Sequence, residues 1–183
     1  MSKKYVLIGI VSILIIGIIF LFRNITSSTV YSSSSFGEEI FPDFTVTEVD
    51  GQVITRDSLK GKPAIIWFTT SWCVPCQIGA KQKVAPLDNE LGGNSFNVLV
   101  IFVDPRETKS DLTNWREQFA NPDWMVAFDN FASKTDSLSA KVGLKFLDSK
   151  FLLDKNGVIK NIDFQIADED YLNVIRQVVE EDK

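Results

Sequence analysis

The sequence predicts an α/β sandwich with a central mixed sheet, preceded by one N-terminal transmembrane helix. Three observations carry that expectation. Two continuous β-branched and aromatic runs, Ala64–Thr69 and Asn97–Val103, read as buried strands. Helical segments alternate with them and the chain closes on a hairpin and a last helix, an order that gives a sheet covered by helices. Near the N-terminus a near-continuous apolar run, Val6 to Phe22, is flanked by Lys3, Lys4 and Arg23.

At about 1.5 Å per residue that run spans roughly 26 Å, near the lower limit for a membrane span once Tyr5 sits at the interface. A cleaved signal peptide shares the basic start, but its apolar region is about 7–15 residues long and ends in a small-x-small site. Phe20-Leu-Phe-Arg-Asn24 offers none, and no cysteine lies nearby, which excludes a lipoprotein anchor. The expectation is an uncleaved signal anchor over residues 6–23, held in membrane lipid. The lysine bias places residues 1–5 in the cytoplasm and the remainder outside. Residues 24–35, rich in Ser and Thr, read as a flexible tether, and residues 36–183 as the folded domain.

Within the domain, Asp50-Gly51 between Phe44–Val49 and Gln52–Ile54 predicts a hairpin. Asp57–Gly61 predicts one helical turn. After the first buried strand a helix is expected from Val74 to about Leu91, with Pro75 in its first turn, where a missing N–H costs nothing. The second buried strand leads to a helix Lys109–Phe119, a short strand Trp124–Ala127 and a helix Ser133–Val142. Lys150–Asp154 and Val158–Phe164 form the closing hairpin around Lys155-Asn156-Gly157. A last helix runs from Asp168, its N-cap, to about Glu181.

Composition narrows the function. The chain has 183 residues, enough for one ordinary domain plus an appendage. All 24 acidic residues follow the tether together with 16 of the 19 basic ones, a formal −8 on the domain, so nucleic acid is excluded as a partner. The only two cysteines are Cys73 and Cys76, and there is no histidine, which removes the second component of a Cys/His zinc site or a Cys-His nucleophilic pair. Dithiol-disulfide chemistry remains. Cys73 stands at the start of a helix, where free backbone N–H groups and the helix dipole stabilise a thiolate, so it is the expected attacking thiol. Cys76, one turn on and more covered, is the expected resolving thiol. A static bridge across three residues would restrain the unfolded chain little.

The order of elements, Trp72-Cys-Val-Pro-Cys76 and Phe151-Leu-Leu-Asp-Lys-Asn-Gly157 together resemble the thioredoxin superfamily. More narrowly, Phe41-Pro-Asp-Phe44, the Asp50-Gly51 hairpin and Leu59-Lys-Gly-Lys-Pro63 resemble the membrane-anchored TlpA/ResA-like thiol-disulfide oxidoreductases, from about Phe41 to the C-terminus. The resemblance implies a thioredoxin-like sandwich and an enzyme that exchanges disulfides with protein thiols outside the cytoplasm, most often as a reductant. Trp72 and Pro75 would set exposure and local geometry at the cysteines. No cofactor is implied beyond the Cys73/Cys76 disulfide, and electrons would come from another membrane redox protein.

Three positions depart from that pattern. The family's cis-proline falls on Asp148; a non-proline cis bond costs about 2.5–4 kcal/mol, so a trans bond is expected here. A carboxylate facing the thiols would disfavour the thiolate. Asp148 is thus either a general base for the resolving step or a loop residue pointing at solvent. Gly79 stands where an acidic residue often follows the second cysteine, and Trp67 where thioredoxin carries a buried aspartate.

Two other resemblances compete. Phe102-Val-Asp-Pro-Arg-Glu-Thr108 is similar to a segment of Sco-type copper chaperones, which implies Cu(I) held by Cys73 and Cys76, with Met125 or Asp148 as an added donor. Thr70, three residues before Cys73, is similar to a peroxiredoxin threonine, but Ile66 stands where that family has a proline. Arg106 and Glu107 either line the cleft or pair on the surface. Trp115, Trp124, Phe128 and Phe131 are expected to pack rather than to form a docking face.

Overall fold

The computed structural model describes residues 39–131 and 135–183. The anchor expected over 6–23 and the tether over 24–35 lie outside the described residues. Among the described residues, no helix is long and apolar enough to cross a membrane.

Thr45–Thr47 (β1) and Val53–Thr55 (β2) form the expected antiparallel hairpin, and Asp57–Leu59 a single 3-10 turn. Ala64–Thr69 (β3), Asn97–Phe102 (β4), Met125–Phe128 (β5), Ser149–Leu153 (β6) and Ile159–Asp163 (β7) make a five-stranded sheet in the order β5-β4-β3-β6-β7. β3 pairs parallel with β4 and antiparallel with β6, so the sheet is mixed and β3 is central.

The period of two in each strand sorts its residues to opposite faces. Ile65, Trp67, Val98, Val100, Phe102 and Leu152 pack on one side with both cysteines. Ala64, Ile66, Phe68, Leu99, Ile101, Phe151 and Leu153 pack on the other with Phe41, Phe44 and the β1–β2 hairpin. The cysteine face is covered by the helix after β3, by Lys109–Phe119 and by Glu169–Glu181, whose N-caps are Cys73, Thr108 and Asp168.

Two helices differ from expectation. The segment after Cys73 is an unbroken helical run, but in three parts: Val74–Gly79 (α1), a π-helical turn Ala80–Val84, and Ala85–Glu90 (α2). Pro86 has no N–H, and its ring would crowd the carbonyl four residues back; the wider turn, closed by Ala85 N–H to Ala80 O, removes that conflict. Lys109–Phe119 (α3) matches its expected bounds. The helix expected over 133–142 is only Leu138–Lys141 (α4), with residues 133 and 134 outside the described residues. The Asp129 carboxylate accepts from the N–H groups of Leu138 and Ser139, and Ser137 caps Ala140, so the helix starts there. Glu169–Glu181 (α5) follows its N-cap Asp168 as expected.

Candidate functional site

β3 ends inside the sheet and hands the chain to the turn Thr70–Trp72, closed by Cys73 N–H to Thr70 O at 3.1 Å. Cys73 is the N-cap of α1: its backbone is extended, its Sγ accepts from Cys76 N–H at 3.3 Å, and Pro75 occupies the first helical turn. Cys73 and Cys76 are joined in a disulfide with Cα atoms 5.3 Å apart. Cys73 keeps 7% of its surface exposed and Cys76 none, the asymmetry expected of an outer and an inner thiol.

The loop after β4 braces this turn. Trp72, 56% exposed, donates its indole N–H to Asp104 Oδ2 at 3.1 Å. The Arg106 guanidinium, 2.6 Å from the same carboxylate, holds the Asp104 carboxyl well below the usual carboxylate range. Glu107 Oε1 accepts the Ser71 N–H, while Gln77 Nε2 donates to Ser71 O at 2.7 Å. Burial pushes the Glu107 carboxyl up, against the opposing pull of the Ser71 hydrogen bond. Glu107 therefore lies beneath the cysteine turn as a support, whereas Arg106 pairs with Asp104 at the surface.

An open cavity of about 620 Å³ adjoins the disulfide. Trp72, Cys73, Val74 and Pro75 form one side; Leu147, Asp148, Phe164, Gln165 and Ile166 form the other. Trp72, Val74, Phe164 and Ile166 are large apolar side chains left exposed at its edge, beside Phe146, whose ring meets Phe164 edge-on at 6.0 Å. Four residues singled out from sequence, Trp72, Cys73, Pro75 and Asp148, thus meet at one cavity, with Cys76 beneath it.

Asp148 is buried, which overturns the alternative of a solvent-facing loop residue. Among the described residues no peptide bond is cis, as expected without proline; Asp148 instead adopts φ +67°, the only non-glycine residue there with positive φ. Its N–H donates to Phe68 O at 3.0 Å. Oδ1 accepts from Trp67 Nε1 at 2.8 Å and from Lys150 Nζ at 3.0 Å, and Oδ2 is buried without a hydrogen-bond partner. Burial pushes the Asp148 carboxyl up, against the Lys150 charge and hydrogen bond.

Lys150 is the residue sequence reasoning missed. It is fully buried, opposite Trp67 in the β3–β6 register and on the cysteine side of the sheet with Leu152. The available signal was its place: a lysine at the second position of a strand whose other members are apolar or small belongs inside, and a buried charge needs partners. Those partners are Asp148 and, at 2.9 Å, Asp163. The Nζ also stands 5.0 Å over the Trp67 ring and 5.7 Å over that of Tyr171, whose phenol is pushed up by burial and by the charges of Asp163 and Asp148.

Of the two added copper donors, Asp148 lines the cavity with Cys73 and Met125 does not. Met125 packs on the opposite face of the sheet from the cysteines. Among the described residues, no group of three or more Cys, Asp or Glu side chains is placed to hold a metal ion. Trp115 and Trp124 are core residues and Phe128 packs against the core, as expected, whereas Phe131 is exposed.

The sequence and the fold have counterparts among known proteins. The AhpC/TSA family model matches residues 38–162. The thiol:disulfide interchange protein DsbE of Pseudomonas fluorescens biotype C is 22% identical over 182 residues, covering 99% of this chain and 92% of that protein. The thiol-disulfide oxidoreductase ResA of Bacillus thuringiensis (strain Al Hakam) is 30% identical over 120 residues, and this chain spans only 64% of the length of that relative. Among solved structures, the thioredoxin domain of a thiol-disulfide oxidoreductase from Bacteroides vulgatus superposes with a TM-score of 0.66 at 18% identity, over 78% of this chain and 96% of that one. A thio-disulfide isomerase from Thermus thermophilus gives 0.64 at 21% identity, over 78% and 95%. The fold is therefore thioredoxin-like, and the chain belongs to the AhpC/TSA family, with relatives named as thiol-disulfide oxidoreductases.

Proposed function

We propose that this protein is a thiol-disulfide oxidoreductase that reduces disulfides in other proteins outside the cytoplasm, with Cys73 attacking and Cys76 resolving. The observation that carries the reading is the Cys73–Cys76 disulfide at a helix N-cap, its outer sulfur on an open apolar cavity and its inner sulfur covered. In the reduced pair, the Cys73 thiolate attacks one sulfur of a substrate disulfide. A Cys73–substrate bond forms, the substrate S–S bond breaks, and the departing substrate thiolate takes a proton. The Cys76 thiol then gives its proton to Asp148 or to water and attacks Cys73 Sγ. The internal disulfide re-forms, and the second substrate thiolate leaves and is protonated. Two electrons pass from the pair to the substrate, to be restored by a membrane redox donor.

Trp72 and Pro75 shape the approach to Cys73, and the pair itself is the only redox group required. The extracytoplasmic location rests on Lys3 and Lys4 before the apolar run Val6–Phe22, within the segment 6–23 that would anchor the chain in lipid.

The test uses the full chain in detergent. Cys76→Ser should accumulate a mixed disulfide with a protein disulfide such as insulin, releasable by dithiothreitol, and Cys73→Ser should not. A redox titration against dithiol-disulfide buffer, read by alkylation, should give a reversible midpoint unmoved by one equivalent of Cu(I). Stoichiometric protection of both thiols by Cu(I), without disulfide turnover, would replace this reading with copper delivery.

A further inference from the structure

The far wall of the cavity, opposite the cysteine turn, consists of two short segments: Leu147–Asp148, before β6, and Phe164–Ile166, after β7. Neither lies within a regular element, yet both converge on one atom. Lys150 Nζ donates to Asp148 O at 2.7 Å, to Asp148 Oδ1 at 3.0 Å and to Gln165 O at 2.6 Å, and pairs with Asp163 Oδ2 at 2.9 Å. Three protons on an ammonium serve those two carbonyls and one carboxylate, which saturates it. The lysine itself does not line the cavity and is fully buried.

We infer that Lys150 is a positioning residue of the redox site: its ammonium ties the two wall segments together and so sets the shape of the surface on which the substrate polypeptide lies while Cys73 attacks its disulfide. This deepens the reading of the protein as a protein-disulfide reductase and rests on it. An ammonium suits the task because backbone carbonyls from two separate segments lie outside any strand ladder whose N–H groups could donate to them. A charged donor bonds both more strongly than a neutral one would.

A second consequence is electrostatic. The charged and titratable groups facing the ammonium are Asp148 ahead of β6, Asp163 on β7 and Tyr171 on α5. Removal of the ammonium leaves the Asp148 and Asp163 carboxylates without their countercharge; Asp148 lines the cavity with Cys73, and a neighbouring negative charge disfavours a thiolate.

The experiment compares wild type, Lys150→Met and Asp163→Asn as full chains in detergent, each checked for folding by circular dichroism. Two quantities are measured: KM and kcat for insulin reduction driven by dithiothreitol, and the pH profile of iodoacetamide alkylation of the reduced protein. Lys150→Met should raise KM about tenfold or more with a smaller change in kcat, the scale expected when charged hydrogen bonds to a docking surface are lost. Its alkylation profile should move to higher pH. Asp163→Asn, which removes one of the four contacts and leaves the carbonyl bonds in place, should raise KM severalfold, roughly twofold to fivefold. Wild-type KM together with a wild-type alkylation profile in Lys150→Met overturns the proposal. If that variant does not fold, wild-type KM in Asp163→Asn overturns it. Absence of insulin reduction by the wild type would instead sink the reductase reading; the alkylation profile, which needs no protein substrate, then decides the role of Lys150 alone.

Discussion

The ring of Trp67 stands where a side chain on Gly79 would have to go: a Cβ at Gly79 would lie 3.3 Å from Trp67 Cη2 and 3.4 Å from Cζ2. Two departures from the resembling family, an indole in place of a buried aspartate and a glycine in place of an acidic residue, are one packing unit. The large ring fills, from the sheet, the volume that the helix leaves empty one turn after Cys76.

Gly79→Glu, which restores the acidic residue of the resembling family, is therefore expected to destabilise the domain by about 1–3 kcal/mol, the usual range for overpacking a filled core. Urea titration of Gly79→Glu, Trp67→Ala and the double variant should show a coupling of about 0.5–3 kcal/mol. Additive effects would mean that the two positions do not share this space.

Trp67 also holds Asp148, through Nε1–H to Oδ1 at 2.8 Å. Trp67→Phe keeps most of the apolar bulk and deletes the donor, leaving Oδ1 with Lys150 alone and Oδ2 still unpaired. A loss of about 1–3 kcal/mol follows from an under-satisfied buried carboxylate. A shift in the urea midpoint without a change in slope would report it.

Asp148→Pro restores the family's residue and should nevertheless harm this protein. Proline is confined to φ near −65°, whereas Asp148 sits at +67°, and its N–H bonds Phe68 O. The mismatch and the lost hydrogen bond together should cost about 2–4 kcal/mol. Thermal unfolding measures it; wild-type stability would show that the loop can switch to the proline geometry at little expense.

Burial raises the Asp148 carboxyl pKa, so the native state binds that proton more readily than the unfolded chain. The stability this group supplies is complete below the ordinary aspartate range and is lost as pH rises through the higher native value. Asp148→Asn has no such dependence. The gap in thermal midpoint between Asp148→Asn and wild type should therefore move in favour of the variant between pH 4 and pH 7. A gap independent of pH would contradict a raised pKa.

The turn that presents Cys73 should depend on Glu107. Glu107→Ala leaves the Ser71 N–H without its acceptor, at about 1–3 kcal/mol, whereas Glu107→Gln keeps an oxygen there and should lose far less. Chemical denaturation of both variants separates the two cases.

The sequence by itself determined the strand and helix order, the central buried strand Ala64–Thr69 and the Cys73/Cys76 pair at a helix start. Each of these is local: a period of two or 3.6, a capping residue, a turn dipeptide or the spacing of two thiols. It also marked Asp148 as the irregular position, by the absence of a proline. Only the tertiary structure decided what surrounds that position. Trp67 and Asp148 are 81 residues apart in sequence, and Lys150 finds Asp163 and Gln165 across a hairpin. Such partners are chosen by strand register and by the requirement that a buried charge be paired, and neither can be read from a run of neighbouring residues. The shortened helix Leu138–Lys141 depends likewise on a contact, the Asp129 carboxylate accepting its first N–H from nine residues back, whereas the π-helical turn follows from Pro86 beside it.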